Sequence, residues 1–301
     1  MKVTSMNRKS LGIILSLISA FAFGVSPVFA SIAISAGSNG IMTMFLRNLL
    51  PIPILLIIIL VFKIKFSFNK KQIFQLIILN VVGGAFTGCL LFSSYQYTGI
   101  GLATCLHFVY PVLIMISCLI IFKERVNSYK IIALILSIIG IFFTVDINNF
   151  SVRGFTYAVL SGVTYAFYIL YMDKTGLKGS NVIVVTLLGC IINTVCIGIF
   201  AIISNTFTLN IGIKGFAASF MVSVLSTMVG VALLQMSLQF IDSSTAAIMC
   251  TMEPLTSVLM GILILLEPIG LLKLLGCIFI IAAVFIIAID NRRGYIGNMN
   301  N

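Results

Sequence analysis

Apolar runs of about twenty residues recur along the whole chain, and this feature limits the possible folds more than any other. The hydrocarbon core of a bilayer is about 30 Å thick and a helix rises about 1.5 Å per residue, so a run of this length can cross it as one helix. Barrel strands would alternate polar and apolar residues, whereas the run from Ile54 to Phe62 is apolar on every side. We therefore predict an all-α membrane protein.

Charged residues, glycine, asparagine or serine separate ten such runs, which predicts about ten transmembrane helices. The predicted helices cover residues 11–34, 41–62, 72–95, 100–122 and 129–145, followed by 154–172, 182–203, 216–239, 244–266 and 271–289. Composition agrees with this prediction, because 60% of the 301 residues are hydrophobic and only 8% are charged. A soluble domain of this length could not bury so much apolar surface.

Basic residues are distributed unevenly between alternate loops, and short cytoplasmic loops are the ones that retain lysine and arginine. If the N-terminus is inside, Lys63, Lys71 and Lys174 are among many basic residues in cytoplasmic segments, whereas Arg153 and Lys214 lie in outer loops. We expect a multi-pass protein of the cytoplasmic (inner) membrane with both termini in the cytoplasm. This topology accounts for the net charge of +11. A nucleic-acid partner is not expected, because the chain shows no clustered basic face with aromatic residues.

The second half of the chain repeats the first at a shift of about 143 residues. Matched positions include Ala103 with Ala246, Pro111 with Pro254, and Glu124 with Glu267. These matches define two five-helix repeats at residues 11–145 and 154–289. Because each repeat has an odd number of helices, the two copies must be inverted relative to each other in the membrane. Many carriers use inverted repeats to open a site near the midplane to one side of the membrane and then to the other.

Three further features occur in these repeats. First, Pro111 precedes an apolar run that ends at Glu124, and Pro254 likewise precedes an apolar run that ends at Glu267. Second, Arg47 follows Phe45 and Leu46 in the second run. Third, the apolar stretch that contains Gly140 corresponds to the one that begins at Gly276. Together they resemble the EamA branch of the drug/metabolite transporter superfamily, over roughly residues 11 to 289. The resemblance implies a secondary active transporter, with export as the common direction, for a small metabolite such as an amino acid or a related compound.

Few polar side chains lie within the apolar runs, where an ionised group costs about 2.5 to 3.5 kcal/mol on insertion scales. Glu253 lies directly before Pro254 and either binds a proton or a substrate amine, or is a protonated bridge to a neighbouring helix. Arg47 either extends to lipid headgroups or binds a substrate carboxylate. His107, the only histidine, is either a packing group or a residue that faces a cavity.

In the resembling family the cavity is formed mainly by the first, third, fourth, sixth, eighth and ninth helices. By position, the resemblance implies these candidates for the substrate site: Glu253, His107, Tyr110, Tyr165, Tyr168, Phe23 and Gln235. Arg47 is a further candidate, because its guanidinium could bind a substrate carboxylate. Pro111 and Pro254 are candidate structural or gating residues. The aromatic content suits an amino acid or a flat metabolite, although aromatic residues at helical spacing are also ordinary packing residues. The repeats differ at one position of interest, because Glu253 replaces Tyr110.

Signatures of catalysis and metal binding are missing from the sequence. The seven cysteines form no CxxC pair, and there is no phosphate-binding loop, HExxH motif or nucleophile elbow. We therefore expect no enzyme activity, no catalytic residue, no cofactor and no metal ion. The lipid bilayer, a small-molecule substrate and a proton as coupling ion are the expected partners, while the oligomeric state is open. The alternative interpretation is a membrane-embedded enzyme or receptor without transport activity.

Overall fold

The computed structural model describes residues 5–124, 127–144, 151–208, 210–265 and 270–299. Its helices are α1 Ser5–Ser35, α2 Gly40–Leu49, α3 Pro51–Val61, α4 Lys70–Ile78, α5 Thr87–His107, α6 Tyr110–Ile120, α7 Ser128–Thr144, α8 Val152–Lys174, α9 Val182–Ile203, α10 Ile213–Val222, α11 Ala232–Ser237, α12 Ser243–Cys250, α13 Met252–Leu265 and α14 Leu271–Met299. Two π-helical segments, Leu79–Phe86 and Ser223–Val231, connect α4 to α5 and α10 to α11. Val145, Leu266 and Glu267, at which predicted helices or repeat matches end, lie outside the described residues.

Seven helical segments are long and apolar enough to cross a membrane, and two shorter apolar helices accompany them in the described part of the chain. The long segments are Arg8–Ser35, Gly40–Val61, Lys70–Ile100, Leu102–Ile120, Val152–Lys174, Val182–Ile203 and Ile213–Ser237, and the shorter ones are Ser128–Phe143 and Leu274–Ile287. The predicted all-α, multi-pass membrane protein is confirmed. The count of ten spans stays a prediction.

The two π-helical segments occupy equivalent positions in the third and eighth predicted helices, at about the shift that relates the repeats. In a π-helix each N–H bonds to the carbonyl five residues earlier rather than four, and such segments occur often at functional sites. The first segment packs closely on α8, because a Cβ added to Gly83 would lie 2.7 Å from the Tyr168 Cβ. Nothing in the apolar pattern predicted this change of helical geometry.

The fourth and ninth predicted helices are each divided just before a proline. Pro111 lies in the first turn of α6, and two residues, Phe108 and Val109, separate α6 from α5. In the same way Pro254 lies near the start of α13, and Thr251 separates α13 from α12. Proline is tolerated in a first turn because its missing N–H would have had no partner there. The continuous helices expected at 100–122 and 244–266 are thus corrected to pairs of half-helices.

Each division is covered by a glycine from the other repeat. A Cβ added to Gly24 of α1 would lie 2.5 Å from the Glu253 carbonyl oxygen, and one added to Gly162 of α8 would lie 2.6 Å from the His107 carbonyl oxygen. Both distances are shorter than a normal carbon to oxygen contact. The first helix of each repeat therefore packs directly against the divided helix of the other repeat.

Ion pairs join the repeats at one end of the molecule, which we call the basic end and define by Glu124, Lys130, Asp173, Lys174, Lys178 and Asp242. Lys174 pairs with both Glu124 and the neighbouring Asp173, and Lys178 lies 2.5 Å from the second Asp173 oxygen. The Asp173 carboxylate is buried and also accepts a hydrogen bond from the Ser243 N–H at 3.3 Å. These contacts hold the ends of α6, α8 and α12 together.

Asp242 provides a second link at the basic end. Its carboxylate pairs with the Lys130 Nζ at 2.8 Å and accepts the Thr245 N–H at 2.7 Å, which caps α12. Burial alone would raise the pKa of Asp242, but the charge and hydrogen bonds of Lys130, Ser244 and Thr245 outweigh burial and hold the pKa below its ordinary value. Asp242 is therefore ionised at neutral pH and ties α12 to α7.

Candidate functional site

A cavity lies between the repeats and contains about 970 Å³ of space, including the part that is open to solvent. Its lining includes all but one of the predicted substrate-site residues: Phe23, Arg47, His107, Tyr165, Tyr168, Gln235 and Glu253. These side chains come from both repeats, and the two π-helical segments contribute further residues to the same wall. A cavity of this kind, in which a few polar groups converge among apolar and aromatic side chains, is a candidate site for a small molecule.

The Arg47 side chain extends into the cavity lining, toward the other repeat. Its Nε donates to the Thr227 hydroxyl at 3.3 Å, and the same hydroxyl donates to the Arg47 carbonyl oxygen at 3.2 Å. Nη1 lies 3.7 Å from the Met44 sulfur. These contacts fix the guanidinium against the second π-helical segment, a direction that differs from the alternative of a side chain extended to the headgroups.

Glu253 lies in the first turn of the half-helix α13 and is half-buried in the cavity wall. No residue in the described ranges makes a hydrogen bond or ion pair with its carboxyl group. The alternative in which a protonated Glu253 bridges to a neighbouring helix therefore has no partner residue in these ranges. The first turn of a helix also presents N–H groups without intrahelical partners and the positive end of the helix dipole, which favour an anion.

His107 is the last residue of α5, and its hydrogen bonds define its tautomer. The ring Nδ1 lies 2.8 Å from the Ser161 hydroxyl, and that hydroxyl donates to the Ala158 carbonyl oxygen at 2.6 Å. A hydroxyl has one proton, so Nδ1 is the donor to Ser161. In the neutral ring Nε2 is then left as a hydrogen-bond acceptor.

Aromatic rings continue from His107 along α8. The Tyr165 ring lies 5.2 Å from the imidazole and is stacked on Tyr168 at 6.0 Å with an interplanar angle of 10°. Tyr110 is not part of the cavity lining: it is fully buried, and its ring packs edge-on against Tyr165 at 4.9 Å. Tyr110 therefore supports a lining residue from behind.

A hydrogen-bonded chain crosses three helices at the cavity wall. The Gln235 Nε2 donates to the Tyr168 hydroxyl at 2.6 Å, and the Thr186 hydroxyl donates to the Gln235 Oε1 at 3.2 Å. All three residues are at least nine-tenths buried. The chain fixes the Gln235 side chain, and the Tyr168 hydroxyl keeps its own proton as a donor.

Three asparagines that were not among the predicted site residues also line the cavity: Asn48, Asn80 and Asn193. They occur singly within apolar runs, where a carboxamide is expensive unless it is hydrogen-bonded. Their occurrence at these positions was the available signal. In the described part of the chain, no group of three His, Cys, Asp or Glu residues is arranged so that it could hold a metal ion.

Comparisons with known proteins agree with this architecture. The sequence model of the EamA-like transporter family matches residues 10–146 and 152–289. One solved crystal structure, described only as that of a protein, superposes with a TM-score of 0.81 at 12% identity and covers 94% of this chain and 98% of that chain. At this identity the similarity shows the fold alone. No match was found among curated proteins.

Proposed function

This chain belongs to the EamA-like transporter family, and we propose that it is a secondary active transporter that exports a small zwitterionic metabolite, an amino acid or a related compound. One observation carries the proposal. Arg47 and Glu253 line the same cavity, yet neither forms an ion pair with the other or with any other residue that the structure describes. A zwitterion supplies the missing partner of each.

The chemistry of the two groups matches the two ends of an amino acid. The Nε of Arg47 is used by Thr227, which leaves the Nη groups for a substrate carboxylate. Glu253 would bind the substrate ammonium from the opposite repeat. Both contacts are charge-assisted hydrogen bonds, which are about twice as strong as neutral ones. Within a membrane such pairing also offsets the cost of burying unpaired charges.

Alternating access between inverted repeats is the proposed mechanism. The cavity is lined from both repeats, and the divided helices place Glu253 and His107 at points where the backbone can bend. At the basic end, Glu124 and Lys174 join the repeats, so opening this end requires their separation. We place the basic end in the cytoplasm, together with both termini. When the substrate has left, Glu253 would take up a proton, which makes the proton the candidate coupling ion.

Transport in proteoliposomes tests the proposal directly. The purified protein is reconstituted, and exchange of radiolabelled L-methionine, L-glutamine, L-glutamate, L-phenylalanine and L-lysine is measured. Two analogues of methionine separate the contributions of the charges: the methyl ester lacks the carboxylate, and N-acetyl-L-methionine lacks the ammonium. We expect at least one of the amino acids to be carried, and we expect neither analogue to be carried.

Two variants address the charged pair. Arg47→Gln and Glu253→Gln should each lower transport by about tenfold or more, because each removes a charge-assisted bond. Arg153→Gln, at an exposed position outside the cavity, is the matched control and should transport as the wild type does. A folded Glu253→Gln protein that transports at the wild-type rate across about pH 5 to 8 would overturn the role of Glu253. Substrate turnover in detergent, without a sealed membrane, would instead favour the alternative of an enzyme.

A further inference from the structure

Two asparagines lie in the cavity wall, Asn80 on the first π-helical segment and Asn193 on α9. The side-chain amide of each one packs against the helix that carries the other. A Cβ added to Gly84 would lie 2.6 Å from the Asn193 Oδ1, and a Cβ added to Gly189 would lie 2.6 Å from the Asn80 Oδ1. Each amide therefore occupies the space left by a glycine on the partner helix. The four residues form a reciprocal pair, with asparagine and glycine four positions apart on both helices.

Hydrogen bonds to the backbone determine which way these amides point. The Asn80 Nδ2 donates to the Leu76 carbonyl oxygen at 2.9 Å. The Asn48 Nδ2 donates to the Met44 carbonyl oxygen at 2.9 Å, so the oxygen of Asn48 is the atom that accepts from the Asn193 Nδ2 at 3.2 Å. A carbonyl can only accept, and this excludes the flipped amides. The oxygens of Asn80 and Asn193 are thereby assigned as acceptors.

Neither of these two oxygens has a donor among the residues that the structure describes. The Asn193 Oδ1 is buried without a hydrogen-bond partner, and the only hydrogen bond of the Asn80 side chain is made by its nitrogen. Asn80 is 3% exposed and Asn193 is 9% exposed. An unsatisfied buried acceptor is costly. The Asn193 Oδ1 has no accessible surface, whereas the Asn80 Oδ1 is not enclosed in this way, so the Asn80 Oδ1 is the acceptor that a ligand in the cavity can reach.

We propose that Asn80, in its reciprocal pair with Asn193, forms a subsite for the side-chain carboxamide of the substrate, so that the transported amino acids are those with an amide side chain, such as glutamine. The substrate NH₂ group carries N–H donors, and one of them would bond to the Asn80 Oδ1. This inference rests on the proposed function, since Arg47 and Glu253 are assigned there to the carboxylate and ammonium of the same substrate. The amide subsite would select the substrate by its side chain, in addition to the contacts with its carboxylate and ammonium groups.

The chemistry of the subsite distinguishes between side chains of similar size. Methionine has nearly the length of glutamine but would leave the Asn80 acceptor without a donor. Glutamate has nearly the shape of glutamine, but its carboxylate brings two further acceptors against the asparagine oxygens. A site that is built to hydrogen-bond a substrate group discriminates strongly against an analogue that lacks it.

Competition with the wild-type protein provides a test that needs no variant. Proteoliposomes take up radiolabelled L-glutamine while unlabelled L-glutamine, L-methionine or L-glutamate competes. We expect L-glutamine to compete at a concentration at least about fivefold lower than either of the others, the effect of one unmade hydrogen bond in a buried site. Equal competition by L-methionine would overturn the subsite while leaving amino acid transport, and thus the proposed function, intact. Absence of transport for every amino acid tested would instead overturn both.

A variant then locates the selectivity. Asn80→Leu has a similar volume and removes the acceptor, and should lower the preference for L-glutamine over L-methionine to near unity while L-methionine is still carried. Asn210→Leu, at an exposed loop position outside the cavity lining, is the matched control and should keep the wild-type preference. If Asn80→Leu does not fold, Gly189→Ala displaces the same amide with one methyl group and should reduce the preference in the same direction. An unchanged preference in a folded Asn80→Leu or Gly189→Ala protein would overturn the assignment.

Discussion

Replacing Gly24 with alanine should destabilise the protein, although alanine is the better helix former. Gly24 lies within α1, and a Cβ at this position would lie 2.5 Å from the Glu253 carbonyl oxygen and 2.6 Å from the Thr256 Cβ. Carbon to oxygen contacts are normally about 3.3 Å or longer, so the backbones of α1 and α13 must separate by roughly 0.8 Å. Neither obstacle is the end of a flexible side chain, so rotation alone cannot relieve the clash.

The expected magnitude follows from two opposing effects. Overpacking of this kind costs about 1 to 3 kcal/mol. Exchange of glycine for alanine within a helix recovers about 1 kcal/mol. The net result is a loss of up to about 2 kcal/mol in the free energy of unfolding. The displacement also moves Glu253, so transport should fall together with stability.

Thermal unfolding in detergent and transport in proteoliposomes measure the two effects. Gly212→Ala is the control: Gly212 lies just before α10, has φ −59°, and a Cβ there would meet nothing within 4 Å. We expect this variant to be as stable as the wild type or slightly more stable. A Gly24→Ala protein that melts higher than the wild type and transports normally would refute the close approach of α1 to the divided helix.

Two further predictions concern polar contacts. Asp242→Asn keeps the cap of α12 but removes the charge that pairs with Lys130, and should cost about 0.5 to 1 kcal/mol at pH 7 because the pair is partly exposed. The folded-state pKa of Asp242 is lowered, so this contribution is complete above the unfolded value of about 3.9 and is lost progressively as the pH falls from there through the folded value. The difference in melting temperature between the two proteins should therefore begin to shrink below about pH 4, and a constant difference would contradict the assignment. Tyr168→Phe removes the acceptor of the Gln235 amide and should lower the free energy of unfolding by about 1 to 3 kcal/mol, whereas an unchanged melting temperature would show that Gln235 finds another partner.

Much of the fold follows from the sequence because the bilayer imposes a simple rule on helices. A membrane span must satisfy its backbone internally, so length and hydropathy are sufficient to locate α9 almost to the residue. The constant spacing between matched residues, such as Pro111 and Pro254, also made the two repeats recognisable in the sequence. Proline positions marked where a helix would be disturbed, and the divisions lie two to three residues before Pro111 and Pro254.

Other features depend on contacts between distant residues, which an apolar pattern does not encode. The π-helical segments change only the hydrogen-bond register, so their sequences remain apolar as in an α-helix. Tyr110 and Tyr165 are both aromatic and similarly placed, but packing against α8 buries the first and leaves the second in the cavity wall. The direction of Arg47 was undecidable without Thr227, which lies 180 residues away.

The reciprocal fit of Asn80 with Gly189 and of Asn193 with Gly84 has a consequence for how this protein can change over time. A larger residue at either glycine is tolerated only after the opposite asparagine has become smaller, so the order in which substitutions arise decides which of them survive. We therefore expect Gly84→Ala to be harmful alone and mild beside Asn193→Ser, with a non-additive free energy in the double-mutant cycle. The four positions at this wall therefore constrain one another. A change of substrate preference here requires intermediate sequences in which the side chains at all four positions still fit the same space.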